Sequence, residues 1–413
     1  MKFKLTSMEK KWVLYDVGNS AFTLMVSTIF PIYFNYLAES AGISDVDYLA
    51  YWGYAVSIST LLVAFLGPTL GAVADTKNYK KIIFGATMGV GVAGCILLGF
   101  VSSWLWFLVL FILARTGYSA SLVFYDAMLP DVTEPERMDR VSSHGYAWGY
   151  IGSCIPFVLS LAIVLGGGKI GLGMQASMII AFLLTAVWWC MSSVPLMASY
   201  RQTHYVEAKG HLIKNSFARL GNTLKELTKE KHIFIFLLAF FFYIDGVYTV
   251  IDMATAYGQA LGLETTGLLL ALLLTQIVAF PAVLFFGRLA KKVSPAKIIT
   301  VCIAAYLVIA IYAYWLDSQF DFWVLAVLVG LFQGSIQALS RSYFAKIIPA
   351  EKSGEYFGIY DICGKGASVV GTAFVSVLSQ ITGSINVGVS ALSLMFLVGL
   401  LLFRRAVKLN PGA

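Results

Sequence analysis

The chain alternates between long unbroken apolar runs and short polar stretches. A helix needs ~20 apolar residues to cross the hydrocarbon core of a bilayer. Runs of that length occur at about 12–37, 48–74, 82–101, 104–128, 141–165, 174–197, 233–256, 265–287, 298–316, 321–345, 356–382 and 385–404. The pattern predicts an all-α membrane protein of twelve transmembrane helices. The first run is full length and lacks a small-residue cleavage site, so it reads as a retained span rather than a signal peptide. One longer polar stretch divides the runs six and six. This predicts an N-terminal six-helix bundle over 1–197, a linker over 198–231 and a C-terminal six-helix bundle over 232–413. Within the linker Ile213, Phe217, Leu220, Leu224 and Leu227 recur at helical spacing among Lys214, Arg219, Lys225 and Lys229. That spacing predicts an amphipathic helix lying on the membrane surface.

The two sets of six echo each other. Pro130, Gly145 and Gly152 are matched by Pro349, Gly364 and Gly371, all at one offset of 219 residues. Tyr15, Asp16 and Gly18 in the first run are echoed by Tyr243, Asp245 and Gly246 in the seventh, and Gly71 by Gly287. Repeated six-helix halves suit a transporter that holds its substrate near the bilayer midplane, where the halves meet, and exposes it to each side in turn.

Composition strengthens this reading. Of 413 residues, 59% are hydrophobic and 12% charged, against roughly 25% charged in soluble domains. The net charge of +7 does not point to nucleic acid, because of where it falls. Nearly all Lys and Arg lie in the N-terminal tail, alternate loops, the linker or the C-terminal tail. The exceptions are Lys169 in an opposite-side loop and Arg115, Arg341 and Lys365 inside spans, while opposite-side loops carry Glu39, Asp45, Asp47, Glu264, Asp317 and Asp321. The positive-inside rule then puts both termini in the cytoplasm. The five cysteines (Cys95, Cys154, Cys190, Cys302 and Cys363) all fall in spans without metal-ligand spacing, and read as apolar thiols. Neither a metal nor a cofactor is expected. Trp52, Trp104, Trp106, Trp315 and Trp323 fall near span ends, as interfacial anchors do.

After the second run comes GAVADTKNYKK, Gly71 to Lys81. Glycine lets helices approach closely, and Asp75 is placed to cap a helix N-terminus or pair with a base. This stretch resembles the gate loop of the major facilitator superfamily, which implies a latch role for Gly71, Asp75, Lys80 and Lys81. The matching stretch, Gly287 to Lys292, has Lys291 in place of the acid, which leaves the latch to the first half. Further segments are WVLYDVGNSAF from Trp12, YDAMLPD from Tyr125, HGYAWGYIG from His144, YIDGVYT from Tyr243 and QGSIQALSRS from Gln333. Together they resemble the vacuole-effluxer-like branch of that superfamily, named for a fungal vacuolar exporter of amino acids. The resemblance covers nearly the whole chain and implies the superfamily fold and solute transport. The superfamily often places an Arg on the fourth span, with a Gly a few residues on. Here the spacing, Arg115 to Gly117, is shorter.

Ionisable groups at mid-membrane cost about 2.5–3.5 kcal/mol or more, so each needs a partner or a function. Asp16, Asn19, Ser20, Thr23 and Ser27 share one helical face, and Asp245, Tyr248, Thr249 and Asp252 repeat the first four spacings. The two stripes are expected to face each other across a central cavity, with Tyr15, Tyr118, Tyr125 and Tyr248 on polar faces nearby. Gln333, Gln337 and Arg341 line one face of the tenth span, with Arg341 as a gate residue. Asp361 and Lys365 stand four apart in the favourable order, as a structural bridge or as a holder for a substrate carboxylate. Asp16, Asp126, Asp245, Asp252 and Asp361 outnumber Arg115, Arg341 and Lys365. Unmatched buried carboxylates can bind and release protons, which favours Asp16, Asp126, Asp245 and Asp361 for proton coupling or amine recognition. His144 could also titrate.

The expectation is a secondary transporter, most simply a monomer in the plasma membrane of a bacterium, moving an amino acid or similar zwitterion with protons. Its substrate site is expected among Tyr15, Asp16, Asn19, Ser20, Arg115, Tyr118, Asp245, Tyr248, Gln333, Gln337 and Lys365. The partners expected are the bilayer, the solute and a co-transported ion, with no nucleic acid. Sodium-coupled carriage of a sugar or organic cation remains open, as does a lipid flippase or scramblase. No HExxH, GxSxG or phosphate-binding Gly-Lys loop is present, so an enzyme is not expected.

Overall fold

The structure is a computed structural model describing residues 3–207, 212–365 and 368–410. Side chains at 45–46, 49–50, 212–219, 252, 255–256, 259–260, 265–266, 269 and 368–369 lie outside the description, and Asp252 is among them. The helices before the linker are α1 (Ser7–Ser27), α2 (Ile29–Ser40), α3 (Asp45–Ala74), α4 (Tyr79–Leu98), α5 (Trp104–Ala127), the short α6 (Leu129–Val132), α7 (Pro135–Gly166) and α8 (Met174–Ser199). The linker helix is α9 (Leu212–Lys229). After it come α10 (Lys231–Ala260), α11 (Thr265–Leu289), α12 (Pro295–Tyr312), α13 (Gln319–Ile347), α14 (Ser353–Lys365), α15 (Ser368–Thr382), α16 (Ile385–Ser390) and α17 (Leu392–Leu409). Twelve segments are long and apolar enough to cross a membrane; α1 with α2, α14 with α15, and α16 with α17 each make one of them. The protein is thus a multi-pass membrane protein, all-helical among the described residues.

The first span was expected to be one helix and instead breaks at Thr28. Pro31 has no N–H for the carbonyl of Ser27, and Thr28 Oγ1 turns back to bond Leu24 O. The linker helix forms, but it is not simply laid on a membrane surface. Its Thr223 and Leu227 are buried, against α3 among other elements, and only Leu224 of the described apolar set is well exposed. Trp52, expected as an anchor, stacks on Phe111 at 4.4 Å, whereas Trp106 and Trp315 are exposed.

Hydrogen bonds register the repeat. Tyr15 bonds Ser121 at 2.7 Å, and Tyr243 bonds Ser340 at 2.7 Å. Gly18 lies against Trp189 and Ser192 of the sixth span, as Gly246 lies against Phe396 of the twelfth. Val17 fills the space at Gly152, as Asp245 does at Gly371. The counterpart of Asp245 is therefore Val17, and that of Asp16 is Ile244. Adjacent positions on an α-helix differ by about 100°. The two aspartates therefore point in different directions, and the expected pair of facing stripes does not form.

The halves meet most closely at the end of the bundle that carries the chain termini, where α3 crosses α14 and α7 crosses α11 and α13. At the first crossing two Gly-xxx-Gly pairs interlock: Gly67 faces Gly358 and Gly71 faces Gly354. A Cβ on Gly71 would stand 2.2 Å from Gly354 O, so only glycine permits this approach.

Candidate functional site

A buried polar feature of the seam is Arg341, which the second half inserts through α13 into the first. It is 2% exposed. Its Nη1 donates to Asp126 Oδ1 of α5 at 2.9 Å, and its Nη2 to Asp16 Oδ2 of α1 at 3.4 Å and to Ser142 O of α7 at 3.1 Å. Nε donates to Ser142 Oγ at 2.9 Å. The guanidinium also lies over Trp12, Tyr146 and Tyr125, with ring centroids at 4.7, 4.4 and 5.5 Å. A planar, delocalised cation suits this setting, donating at its edge while its faces meet aromatic rings. Gly145 makes the room: a Cβ there would lie 2.4 Å from Asp16 Oδ2 and 3.0 Å from Arg341 Nη2. One base and two acids meet here.

The face of α1 that is buried at Asp16 and Asn19 becomes exposed at Thr23 and Ser27. The seam is therefore shut at Arg341 and opens two turns farther from the termini. At that level Thr23 Oγ1 lies 2.5 Å from the Tyr118 hydroxyl. Lys365 pairs with Asp361 at 2.7 Å and donates to Ser119 O of α5 at 3.3 Å. Tyr248 lies within electrostatic reach of Asp361 and Tyr118.

Nearer the termini stands a second tier. Asp75 is buried and accepts from the backbone N–H of Gly354 at 2.7 Å and of Glu355 at 2.9 Å, so it caps the first turn of α14 in the other half. Lys80 lies 3.6 Å from Asp75 and donates to Ser353 Oγ at 2.7 Å. Asn78, at φ 70°, makes the turn that folds Lys80 back. Burial pushes the Asp75 carboxyl up to about 7, against the pull of Lys80. On the other flank Asp139 of α7 receives Lys346 at 2.5 Å and Ser342 Oγ at 2.8 Å from α13. This pair stands in where the second-half loop has no acid.

The structure thus gathers Asp16, Asp126 and Arg341 in one cluster and Gly71, Asp75 and Lys80 in another. Lys81 makes no ion pair among the described residues and takes no part in the latch bonds. Asn19 donates to Asp16 Oδ1 at 3.3 Å, and Ser20 faces Gly149 on the neighbouring α7. Tyr15 is not a cavity residue: it is buried within the first half against Ser121, Phe84 and Tyr125. Asp245 also lies off the seam, accepting from Gly371 N at 3.2 Å and Thr249 Oγ1 at 3.3 Å inside the second half. Arg115 is three helical turns from Asp126 on α5 and outside the Arg341 cluster. Gln333 and Gln337 are buried along α13.

Sequence reasoning missed the part played by Asp131 and the linker. Asp131 accepts from Lys80 at 3.4 Å, Tyr200 at 2.5 Å, Thr203 Oγ1 at 2.8 Å and His204 Nδ1 at 3.0 Å. Burial alone would raise its carboxyl, but Lys80, His204 and Tyr200 outweigh that and hold it well below the usual carboxylate range. In turn the hydrogen bond to Asp131 raises the His204 imidazole. Val206 N donates to Asp75 O at 2.8 Å. At its other end the linker grips the second half through Thr223 to Glu355 at 2.5 Å and Glu226 to Lys352 at 2.8 Å. Pro130-Asp131 was visible as a motif, but nothing in the sequence told which residues would converge on its carboxylate.

Comparison with known proteins agrees with this architecture. Residues 7–412 match the family model described as vacuole effluxer Atg22 like. An uncharacterized MFS-type transporter of Bacillus subtilis, YxiO, is 41% identical over 407 residues, covering 97% of this chain and 95% of that one. Autophagy-related protein 22 of Coccidioides immitis is 23% identical, over 86% of this chain and 72% of its own. Among solved structures, a bacterial homologue of the iron transporter ferroportin in its outward-facing state superposes with TM-score 0.72 at 14% identity, covering 97% of this chain and 98% of that one. The major facilitator superfamily transporter FucP in the outward conformation gives a TM-score of 0.71 at 13% identity, covering 97% of each chain. The fold is that of the major facilitator superfamily, and the chain belongs to the Atg22-like vacuole effluxer family of transporters.

Proposed function

We propose that this protein carries a small polar solute, an amino acid or similar zwitterion, by alternating access coupled to protons. The observation that carries the reading is the Arg341 cluster. It joins the halves at the floor of the open part of the seam and holds two carboxylates against one guanidinium. Parting the halves at this end strips Arg341 from Asp16 and Asp126. A proton taken by either acid weakens that attachment, so protonation and opening are linked. Directly beyond the cluster, Asn19, Thr23, Tyr118 and Tyr248 offer neutral hydrogen-bonding groups, while the Lys365–Asp361 pair offers a cation to a carboxylate. The amine of a zwitterion would meet Asp16 and Asn19. The basic loops at the latch end support a cytoplasmic position for it.

The test uses purified protein in proteoliposomes. A ligand-stabilisation screen across amino acids, amines, sugars and organic acids finds the solute. Its flux is then measured under imposed pH gradients, with sodium replaced by choline as a control. Asp16→Asn and Asp126→Asn are expected to abolish or flatten the pH dependence. Normal transport with unchanged pH dependence in both variants would overturn this site, and loss of flux when choline replaces sodium would overturn proton coupling.

A further inference from the structure

At the second crossing, Gly287 of α11 lies against Ser143 of α7; a Cβ there would stand 2.5 Å from Ser143 Cβ. This contact puts Arg288 of the second half beside Arg140 and His144 of the first. The two guanidinium groups lie within electrostatic reach of each other and of His144. The Phe3 ring packs under Arg140 at 3.7 Å and under Arg137 at 4.6 Å, and stacks on His144 at 5.8 Å. The neighbouring acids are committed elsewhere. Glu9 pairs with Arg137 at 2.7 Å, and Asp139 takes Lys346 and Ser342. Among the described residues neither Arg140 nor Arg288 has a carboxylate partner, and the buried His144 Nδ1 has no hydrogen-bond partner. Two like charges are therefore brought together where the halves close, with no carboxylate paired to either among the described residues.

We propose that Arg140 and Arg288 form a two-armed site for a phosphate-bearing anion, with His144 beside it, at the latch end of the seam. Guanidinium groups match phosphate oxygens in paired, charge-assisted hydrogen bonds, and basic pockets between transmembrane helices accept lipid head groups. One arm comes from each half, so the anion binds the closed seam and holds it closed. The inference does not depend on which solute is carried. A lipid phosphodiester and free phosphate share the required chemistry.

The experiment follows the melting temperature of the purified full-length protein in a neutral detergent. The probes are short-chain phosphatidylglycerol, with phosphatidylcholine as its control, and inorganic phosphate, with chloride at equal ionic strength. One or both anions are expected to raise the melting temperature of the wild type. In R140Q/R288Q the half-maximal concentration should rise about tenfold or more, the loss of one charge-assisted pair, while K169Q at the opposite end behaves as wild type. A response to phosphatidylglycerol alone assigns the site to lipid, and a response to phosphate as well assigns it to the free anion. R288Q, at an exposed position, guards against misfolding. Without either anion its melting temperature should be no lower than wild type, since a repulsion is removed. Equal shifts in wild type and R140Q/R288Q, or no shift with either probe, would overturn the proposal.

Discussion

At the residue scale, Arg341 shows how one side chain can be both costly and necessary. Removing a single partner from a buried ion cluster costs about 3–5 kcal/mol, because the partners left behind are buried and uncompensated. Here Arg341→Met would leave Asp16 and Asp126 facing each other at the seam. The double variant Arg341→Met, Asp126→Asn removes charge from both sides and should be destabilised less than Arg341→Met alone. A double-mutant cycle on thermal stability checks this, and simple additivity would mean that the contact carries no coupling. Gly145 belongs to the same cluster by omission, since any side chain there would occupy the space of Asp16 and Arg341. Its repeat counterpart Gly364 meets only ordinary contacts, the nearest at 3.4 Å to Phe240. Identical offsets in the sequence therefore mark identical fold positions without identical roles.

At the element scale, the linker is bonded to both halves rather than being a bare tether. Its first segment bonds Asp131 and the Asp75 backbone, and its helix bonds Glu355 and Lys352 across the seam. Burial in this closed arrangement pushes the Asp75 carboxyl up to about 7. A group whose pKa is raised on closing holds its proton more tightly in the closed state, so its contribution is present at low pH and fades as pH climbs through that value. His204, raised by Asp131, acts with the same sign: its contribution is lost as pH rises through its elevated value. Asp131 has the opposite sign, but its contribution fades only in strong acid, well below this window. Spin labels at positions 77 and 352 should therefore report a longer separation as pH goes from about 6 to about 8. His204→Gln should flatten that response. An unchanged separation in the unmodified linker would show that the latch does not titrate.

At the scale of the whole molecule, the two tiers of inter-half contact lie at one end, so the structure is closed toward the termini and open away from them. In a variant without native cysteines, Thr23→Cys should react rapidly with a water-soluble maleimide. Ala338→Cys, buried where α13 crosses α7, should react slowly. Equal rates would indicate that the seam is not asymmetric in the membrane.

What the sequence determined by itself follows from length and polarity. A bilayer allows few alternatives for apolar runs of this length, so the twelve spans and the polar linker were legible from one chain. The gate loop was legible as well, because glycine, aspartate and lysine at fixed spacing each do local work. Tertiary structure alone decided direction. The sequence could align Asp16 with Asp245 by charge, but tyrosine and glycine contacts set the register one residue away and turned Asp245 into its own half. It could count five acids against three bases, but only packing showed that Asp126 and Asp16 share Arg341, that Asp75 spans the seam to α14, and that Arg140 and Arg288 come within electrostatic reach of each other with no paired acid among the described residues. Helical periodicity reports a face. Which neighbour that face meets depends on residues hundreds of positions away.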